Sequence, residues 1–496
     1  MNHRIDATTV ALSLVAHTNV GKTTLARTLL QRDIGEVRDE AHVTLEAERH
    51  TLIDTPEGDR LELWDTPGFG NSQRMAERLA RRANPIGWFL NEVWDRWRDR
   101  ALWSSQAAVR NVLDEADAVL YLVNASEAPQ DAAYVDPELR VLDLLDKPTI
   151  VLLNQTGRPR TPADEAADVE RWWAHCANHP CVRAVLVLDA FARCWVQEGT
   201  LLDALADVLP PPKRAGFERL AAAWRAKHHA VWRASMDVLA TRLARAAFDR
   251  EAVRDEGWAG KLRQVGASIG LRRDGLLTPR EQAMQALAER LDADIRTTTD
   301  ELIRLHGLDG QATDTVLTRL AQHFAVREPV SEGKAAVLGG LVTGALAGLK
   351  ADIATGGLTL GGGLLAGGVI GALSAAGLAR GFNLVRGVDA PTLAWADEVL
   401  DGLVPSALLG YLAVAHFGRG RGEWTASESP RFWSEHVNAA LAPRRKALQA
   451  IWEQRTENGA QAGVRNELQA LLRATSLDVF ARLYPDSKDM LRAADA

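Results

Sequence analysis

Residues 16–23 read Ala-His-Thr-Asn-Val-Gly-Lys-Thr and follow directly on an apolar run at 9–16. A second β-type run, 60–64, leads at once into Asp65-Thr66-Pro67-Gly68, 43 residues beyond Lys22. A glycine-lysine loop between a strand and a helix aims backbone N–H groups and the positive end of the helix dipole at one point, where a phosphate fits. Each motif alone has a plain structural explanation, a glycine turn before a helix or an Asx turn after a strand. Together, each at the end of a strand, they restrict the first part of the chain to an α/β sheet with a phosphate site at its edge.

The chemistry gives each position a task. Ala16, His17, Thr18, Asn19, Val20, Gly21, Lys22, Thr23 and Thr24 form the nucleotide-binding stretch, with Ala16 where such loops usually carry their first glycine. Gly21 lets the backbone curl, Lys22 reaches the β- and γ-phosphates, and the Thr23 hydroxyl ligates Mg²⁺. Asp65 is expected to hold the same Mg²⁺ through a water, and the Gly68 N–H to sense the γ-phosphate. Thr44, 21 residues before Asp65 in a polar stretch, is the candidate switch threonine, a third Mg²⁺ ligand present only with the γ-phosphate. Thr51 competes with it but falls inside an expected strand, and the plain alternative for Thr44 is a solvated loop threonine.

Six β-type runs, at 9–16, 46–53, 60–64, 118–124, 149–154 and 183–188, alternate with helical stretches through residue 209. This pattern predicts an α/β P-loop NTPase domain over 1–209, a mostly parallel sheet with helices on both faces. The turn 54–59 joins the second and third runs as a hairpin. Pro210-Pro211-Pro212 marks a linker at 210–216, and 217–496 reads as a mostly α-helical domain, with apolar spacing of three and four at 217–250, 281–305, 434–454 and 464–473.

Charge divides along the same line. Residues 1–209 hold 22 Lys+Arg against 33 Asp+Glu, and the rest 36 against 32, within an overall net charge of −7. This excludes a uniformly basic nucleic-acid binder, and 47% apolar residues exclude wholesale disorder. Three cysteines, Cys176, Cys181 and Cys194, make no disulfide framework, and the first apolar run lacks a signal-cleavage pattern. A cytoplasmic protein is expected. His175, Cys176, His179 and Cys181 cluster without paired Cys-x-x-Cys spacing and read as a loop before a strand.

Asn19-Val20-Gly21-Lys22-Thr23, Asp65-Thr66-Pro67-Gly68 and the run 118–123 resemble the Era/TrmE-like branch of translation-factor-class GTPases, over roughly residues 8–209. The whole chain resembles bacterial Era-like GTPases with an uncharacterised helical C-terminal domain. The resemblance implies GTP and GDP as ligands, Mg²⁺ as cofactor and, in some members, K⁺ held by the residue at the Asn19 position. Phe69 stands where many GTPases carry a water-orienting Gln, so hydrolysis is expected to need another source of charge such as that K⁺. The base-reading loop departs from Asn-Lys-x-Asp. It reads Asn154-Gln155-Thr156-Gly157, and Gly157 has no carboxylate for the guanine N–H groups. Asn154 can still meet the purine edge and the Gln155 stem can cover the base. After the sixth strand, Ala190 N–H could read purine O6, and Asp189 could swing in for the missing carboxylate or simply form a turn.

Two stretches stand outside this plan. In 71–106, Trp88, Phe89, Trp94, Trp97 and Trp103 interleave with seven arginines, which suits a packed helix pair, a switch-coupled interface or, less well in an acidic domain, RNA. Residues 335–379 hold 13 glycines, and Lys350 and Asp352 are their only charges. Gly340, Gly344 and Gly348 fall four apart, as do Gly363, Gly367 and Gly371, the spacing of helices packed closely in a bilayer. A membrane-associating glycine-zipper hairpin is expected there, with a buried soluble hairpin or a glycine-rich loop as alternatives. The sequence therefore reads as a Mg²⁺-dependent GTPase switch coupled to a membrane or membrane-protein partner, with association at the inner face of the plasma membrane and a nucleotide-dependent dimer among the expectations and nucleic acid unexpected. A nucleotide-binding scaffold with negligible turnover and an Era-like RNA- or ribosome-associated GTPase are the alternatives.

Overall fold

The structure is a computed structural model that describes residues 7–31, 47–70, 72–80, 86–87, 100–156, 160–190, 194–253, 279–308, 382–386, 391–417, 430–456, 459–487, 490–491 and 494. Thr44, Gly157, Phe191, residues 88–99 of the Trp-rich stretch and all of 335–379 lie outside them. The chain divides into two compact units. One comprises Met1–Ala230, Ala415–Glu428 and Phe480–Ala496, the other Val231–Val414 and Ser429–Val479.

The first unit is built on a six-stranded sheet. Its strands are β1 (Thr9–Ala16), β2 (Glu48–Asp54), β3 (Arg60–Asp65), β4 (Ala118–Asn124), β5 (Thr149–Asn154) and β6 (Val182–Val187), in the order β2-β3-β1-β4-β5-β6. Only β2 runs antiparallel, paired with β3 across the expected hairpin turn, while the other neighbours pair parallel. β1, β4 and β5 are buried along almost their whole length, which is why their sequences are continuous apolar runs rather than alternations. β2 is an edge, and its Glu48-Arg49-His50-Thr51 keeps that edge charged and largely exposed. Helices α1 (Lys22–Leu30), α2 (Ser72–Ala80), α3 (Arg100–Asp114), α4 (Val135–Leu145), α5 (Pro162–Cys176) and α6 (Trp195–Val208) belong to this unit. Leu102, Val109 and Val112 of α3 and Leu139 and Leu142 of α4 join Tyr121, Val123 and Val151 in one buried core cluster.

The prolines at 210–212 do not make a linker. Pro211 opens α7 (Pro211–Phe248), a 38-residue helix. The first turn of a helix tolerates proline because its N–H groups have no intrahelical partner there. Phe217, Leu220, Ala221 and Trp224 bury the helix face that belongs to the first unit. Lys213 Nζ lies 2.6 Å from Asp117, and Arg219 grips Asp59 through Nε at 2.6 Å and a terminal nitrogen at 2.8 Å.

The second unit is mostly helical, but it also holds a small antiparallel sheet that apolar spacing did not announce. β7 (Arg250–Ala252), α8 (Pro279–Leu305), β8 (Phe382–Arg386), β9 (Pro391–Trp395), α9 (Asp397–Ala415), α10 (Arg431–Leu441), α11 (Arg445–Glu453) and α12 (Gln461–Leu483) complete the described elements, and the sheet order is β7-β9-β8. Its core collects the buried rings of Trp232, Trp395, Trp452 and Tyr411. The Trp232 indole donates to Ser476 at 3.0 Å and that of Trp452 to Asp401 at 2.9 Å, so the polar ends of these two indoles are paired. The expected helix at 434–454 breaks into α10 and α11 at Pro443, with a 3₁₀ turn over Ala442–Arg444 between them. Among the described residues one helix, α9, is long and apolar enough to cross a membrane, and 61% of its apolar window is buried inside the fold.

All three cysteines are free and buried. Burial pushes the Cys176 thiol up to about 12 and moves the Cys181 thiol upward as well, and the Cys181 backbone N donates to Asp143 Oδ1 at 3.0 Å. His179 Nδ1 meets Asp143 at 2.7 Å, and His175 and His179 both approach Asp136. Among the described residues no group of three or more His, Cys, Asp or Glu side chains is placed to hold a metal ion.

Candidate functional site

Parallel pairing sets the site. Ala16 ends β1, Asp65 ends β3, and Asn124 and Asn154 pair at the ends of β4 and β5, so the loops that follow leave one edge of the sheet together. Between β1 and α1 the chain turns through two left-handed residues, Asn19 at φ 67° and Gly21 at φ 93°. Gly21 is required twice over. Its φ disfavours any Cβ, and a Cβ there would stand 2.8 Å from Asn154 Nδ2. The first turn of α1 contains no acidic residue, so its N–H groups stay attractive to an anion.

Lys22 is buried in this loop, and burial pulls its ammonium below the usual 10.5, against the opposing pull of Asp65 and Glu138. Asp65 is shifted the other way, upward by burial, with Lys22 and the Thr23 hydroxyl resisting. Thr23 Oγ1 donates to Asp65 Oδ2 at 2.6 Å. The second oxygen, Oδ1, is buried and has no hydrogen-bond partner among the described residues. An orphaned carboxylate oxygen beside a hydroxyl, with oxygen donors only, suits a hard cation. Thr23 and Asp65 therefore fit the Mg²⁺ role read from the sequence. Thr44, the third expected ligand, falls outside the described residues.

The turn after β3 is pinned from several sides. Thr66 Oγ1 donates to Leu14 O at 2.6 Å, Phe69 N to Ala16 O at 2.9 Å, and Ser104 Oγ to Gly68 O at 2.8 Å. A Cβ on Gly68 would lie 3.1 Å from both Lys22 Nζ and Thr18 Cγ2, so the backbone here passes close to the phosphate loop. Phe69 is wholly buried in the core cluster, and its ring takes no part in placing a water.

The base-side loops correct one expectation. Asn154 is wholly buried and uses both ends of its amide, Nδ2 donating to Val20 O at 2.7 Å and Oδ1 accepting from Ala190 N at 2.9 Å. The Ala190 N–H assigned to purine O6 is thus taken by Asn154, because a buried carbonyl oxygen needs a donor. Asp189 does not point its Oδ2 at a ligand but accepts there from Thr156 N at 2.8 Å and Thr156 Oγ1 at 2.7 Å, fixing the turn after β5. Gln155, left-handed at φ 56°, reaches Asn19 O at 3.5 Å and so lies against the phosphate loop.

Sequence reasoning missed one residue. Glu138, in the first turn of α4, is wholly buried among donors from three other elements. His17 Nδ1 lies 2.7 Å from its Oε1, Ser72 Oγ donates to the same oxygen, and Tyr121 OH donates to Oε2 at 2.9 Å. The His17 ring also stacks on Tyr134, centroids 4.6 Å apart. An acidic residue early in a helix is ordinary, so only the fold reveals this convergence.

Comparison with known proteins agrees with this geometry. Residues 11–155 match the family model described as 50S ribosome-binding GTPase, so the first unit carries a P-loop GTPase domain, an enzyme domain of the GTP-hydrolysing class. Solved structures similar to the chain include Era in complex with MgGDPNP and nucleotides 1506-1542 of 16S ribosomal RNA, at 18% identity, 41% of this chain, 58% of that chain and a TM-score of 0.30. Aquifex aeolicus Era bound to GDP.AlF4- gives 18%, 41%, 57% and 0.28. A structure of the chloroplast translocon components atToc33 and psToc159, in work on dimerization and GTPase activity, gives 15%, 41%, 84% and 0.26. The chain thus spans less than two thirds of the Era chains it resembles. No curated protein matches it. Residues 179–475 match the family described as Domain of unknown function (DUF3482), and since that match takes in more than half of the sequence, the chain belongs to this family.

Proposed function

We propose that the chain is a molecular switch of the Era/TrmE-like kind, which binds GTP with Mg²⁺, hydrolyses it to GDP and phosphate, and passes the change to its helical region. The observation that carries this reading is the buried Asp65 carboxylate, with one oxygen on the Thr23 hydroxyl and the other unpaired, beside the buried Lys22. A buried carboxylate oxygen left without a hydrogen-bond donor is completed by a bound cation, and a metal-bound triphosphate brings one. Mg²⁺, when bound, would be held by Thr23 and Asp65 and would supply positive charge to the phosphates. Lys22 neutralises the same oxygens, the loop N–H groups around Gly21 orient them, and the Gly68 N–H reads the γ-phosphate.

The rate of hydrolysis depends on what orients water. Phe69 does not, so Asn19 in the K⁺ role is the proposed source of transition-state charge, and hydrolysis faster in K⁺ than in Na⁺ buffer is expected. The buried Phe69 equally favours a second reading, a nucleotide-binding scaffold with negligible turnover. The glycine spacing of residues 335–379 supports coupling to a membrane or membrane-protein partner at the cytoplasmic face, and a nucleotide-dependent dimer and an Era-like RNA role complete the proposals.

Equilibrium binding of fluorescent GTP and ATP analogues, with Lys22→Ala as control and multiple-turnover phosphate release alongside, tests the reading. Tight Mg²⁺-dependent GTP binding lost in the variant, with K⁺-stimulated release, is the expected result. Binding without release supports the scaffold, and no binding overturns both. Vesicle flotation of the chain with and without residues 335–379 tests the membrane role, which fails if deletion changes nothing.

A further inference from the structure

We propose that Glu138 is a positioning residue for hydrolysis, a latch that ties the start of α2 to the phosphate loop through Ser72 and His17. The proposal rests on the switch reading above and deepens it. Ser72 is the first residue of α2 and lies four residues beyond Gly68. His17 is the second residue of the phosphate loop. Both meet the same oxygen of Glu138, whose other oxygen is held by Tyr121 of β4.

The segment from Gly68 to Ser72 is fastened at its start, in its middle, where Gly70 N donates to Ser105 Oγ at 3.0 Å and Ser105 Oγ to Gly70 O at 3.1 Å, and at its end. Near its start, Phe69 N donates to Ala16 O and Ser104 Oγ holds Gly68 O. At its end, Ser72 donates to Glu138. The Gly68 N–H that reads the γ-phosphate is carried by a short piece of backbone whose far end is set by one buried carboxylate. Moving that end displaces the N–H, and a small displacement at a reacting centre is costly in rate.

The chemistry of the latch argues against simple filling of the core. A buried carboxylate is expensive to desolvate, and an apolar side chain of similar size serves packing as well or better. Among the described residues its Ser72 bond is the arm that reaches the segment expected to move with the γ-phosphate, whereas Tyr121 and Tyr134 belong to the fixed side, β4 and the turn before α4.

Two readouts on the full-length chain test this. In steady-state hydrolysis, Ser72→Ala and Glu138→Gln are expected to lower kcat about tenfold while the Kd for a GTP analogue stays within about twofold, the split that separates positioning from binding. Tyr121→Phe, which cuts only the arm to β4, is expected to lower Tm and leave kcat within about twofold. In amide hydrogen exchange of the nucleotide-free chain, Ser72→Ala and Glu138→Gln are expected to speed exchange across residues 68–76, and Tyr121→Phe not to. Unchanged kcat in both arm variants, or a loss of kcat that follows the loss of affinity, overturns the proposal. So does unchanged exchange at 68–76, even in a chain that binds GTP without turning it over. A wild-type chain with no turnover overturns the hydrolysis reading itself, and exchange then decides alone whether the latch exists.

Discussion

Strand β3 ends in a buried aspartate, and the turn just before its start carries another. Asp59, in that turn, is completely paired: Thr8 N and Arg219 share Oδ1 at 2.8 Å each, and Arg219 Nε holds Oδ2 at 2.6 Å. Asp65, at the other end, has one oxygen on Thr23 and the other without a partner among the described residues. The two carboxylates are six positions apart in sequence and buried alike, yet one is finished by the protein and the other is not. A fully paired buried charge fastens parts of a fold together, here the β2–β3 hairpin to α7. An incompletely paired one is tolerated only where something outside the chain completes it.

The comparison breaks most readily at Lys22. Replacing it with alanine removes the cation next to the unfinished carboxylate, and GTP affinity is expected to fall about 100-fold in fluorescence titration. Retained affinity would mean that the Asp65 edge is not a phosphate site. Asp59→Asn comes next, with a fall in Tm of several degrees and nucleotide affinity kept, because the change strikes the paired end only. Asp65→Asn sharpens the contrast. It is expected to abolish the Mg²⁺ dependence of GTP binding at a smaller cost in Tm than Asp59→Asn, since Asp65 holds a single hydrogen bond where Asp59 is bridged at both oxygens. Calorimetry of the two variants side by side would sink the comparison if they melted alike.

The smallest effect lies in pH. The Arg219 guanidinium, aided by the Thr8 N–H, holds Asp59 below its usual 3.8. A carboxylate depressed in the folded state stabilises the fold fully above its unfolded value and loses that contribution as pH falls through the folded one. The Tm gap between wild type and Asp59→Asn is therefore expected to be constant near neutrality and to close only below about pH 4. A gap that closes near pH 6 would assign the effect to another group.

How much of this was legible in the residues depended on whether the signal was local. β4 and β5 agree with the sequence reading to the residue, because central strands covered on both faces must be continuously apolar. Edge strand β6 is displaced by one position, as its alternation is weaker. Lys22, Thr23 and Asp65 were readable from spacing, and the structure brings them together. Glu138 was not, since its meaning comes from residues 17, 72 and 121 converging on it. The bond from Ala190 N–H to Asn154 was not legible, because Asn154 arrives from a different strand. The three strands of the second sheet are three to five residues long, and β7 pairs with a segment more than 130 residues away, so no local pattern marks them. Pro211 broke the expected order in the opposite sense, because a proline that ends a helix in its interior can begin one at its first turn.

The buried cysteines give the chain an experimental convenience. Cys176, Cys181 and Cys194 are the whole complement of thiols, all are covered, and burial keeps Cys176 and Cys181 protonated at neutral pH. Alkylating dyes attack thiolates on the surface, so the natural chain should take up almost none of a maleimide reagent. A single cysteine introduced at Gln73, exposed on α2, would then be the one reactive position, and a dye there would report the movement of that helix with no native residue removed.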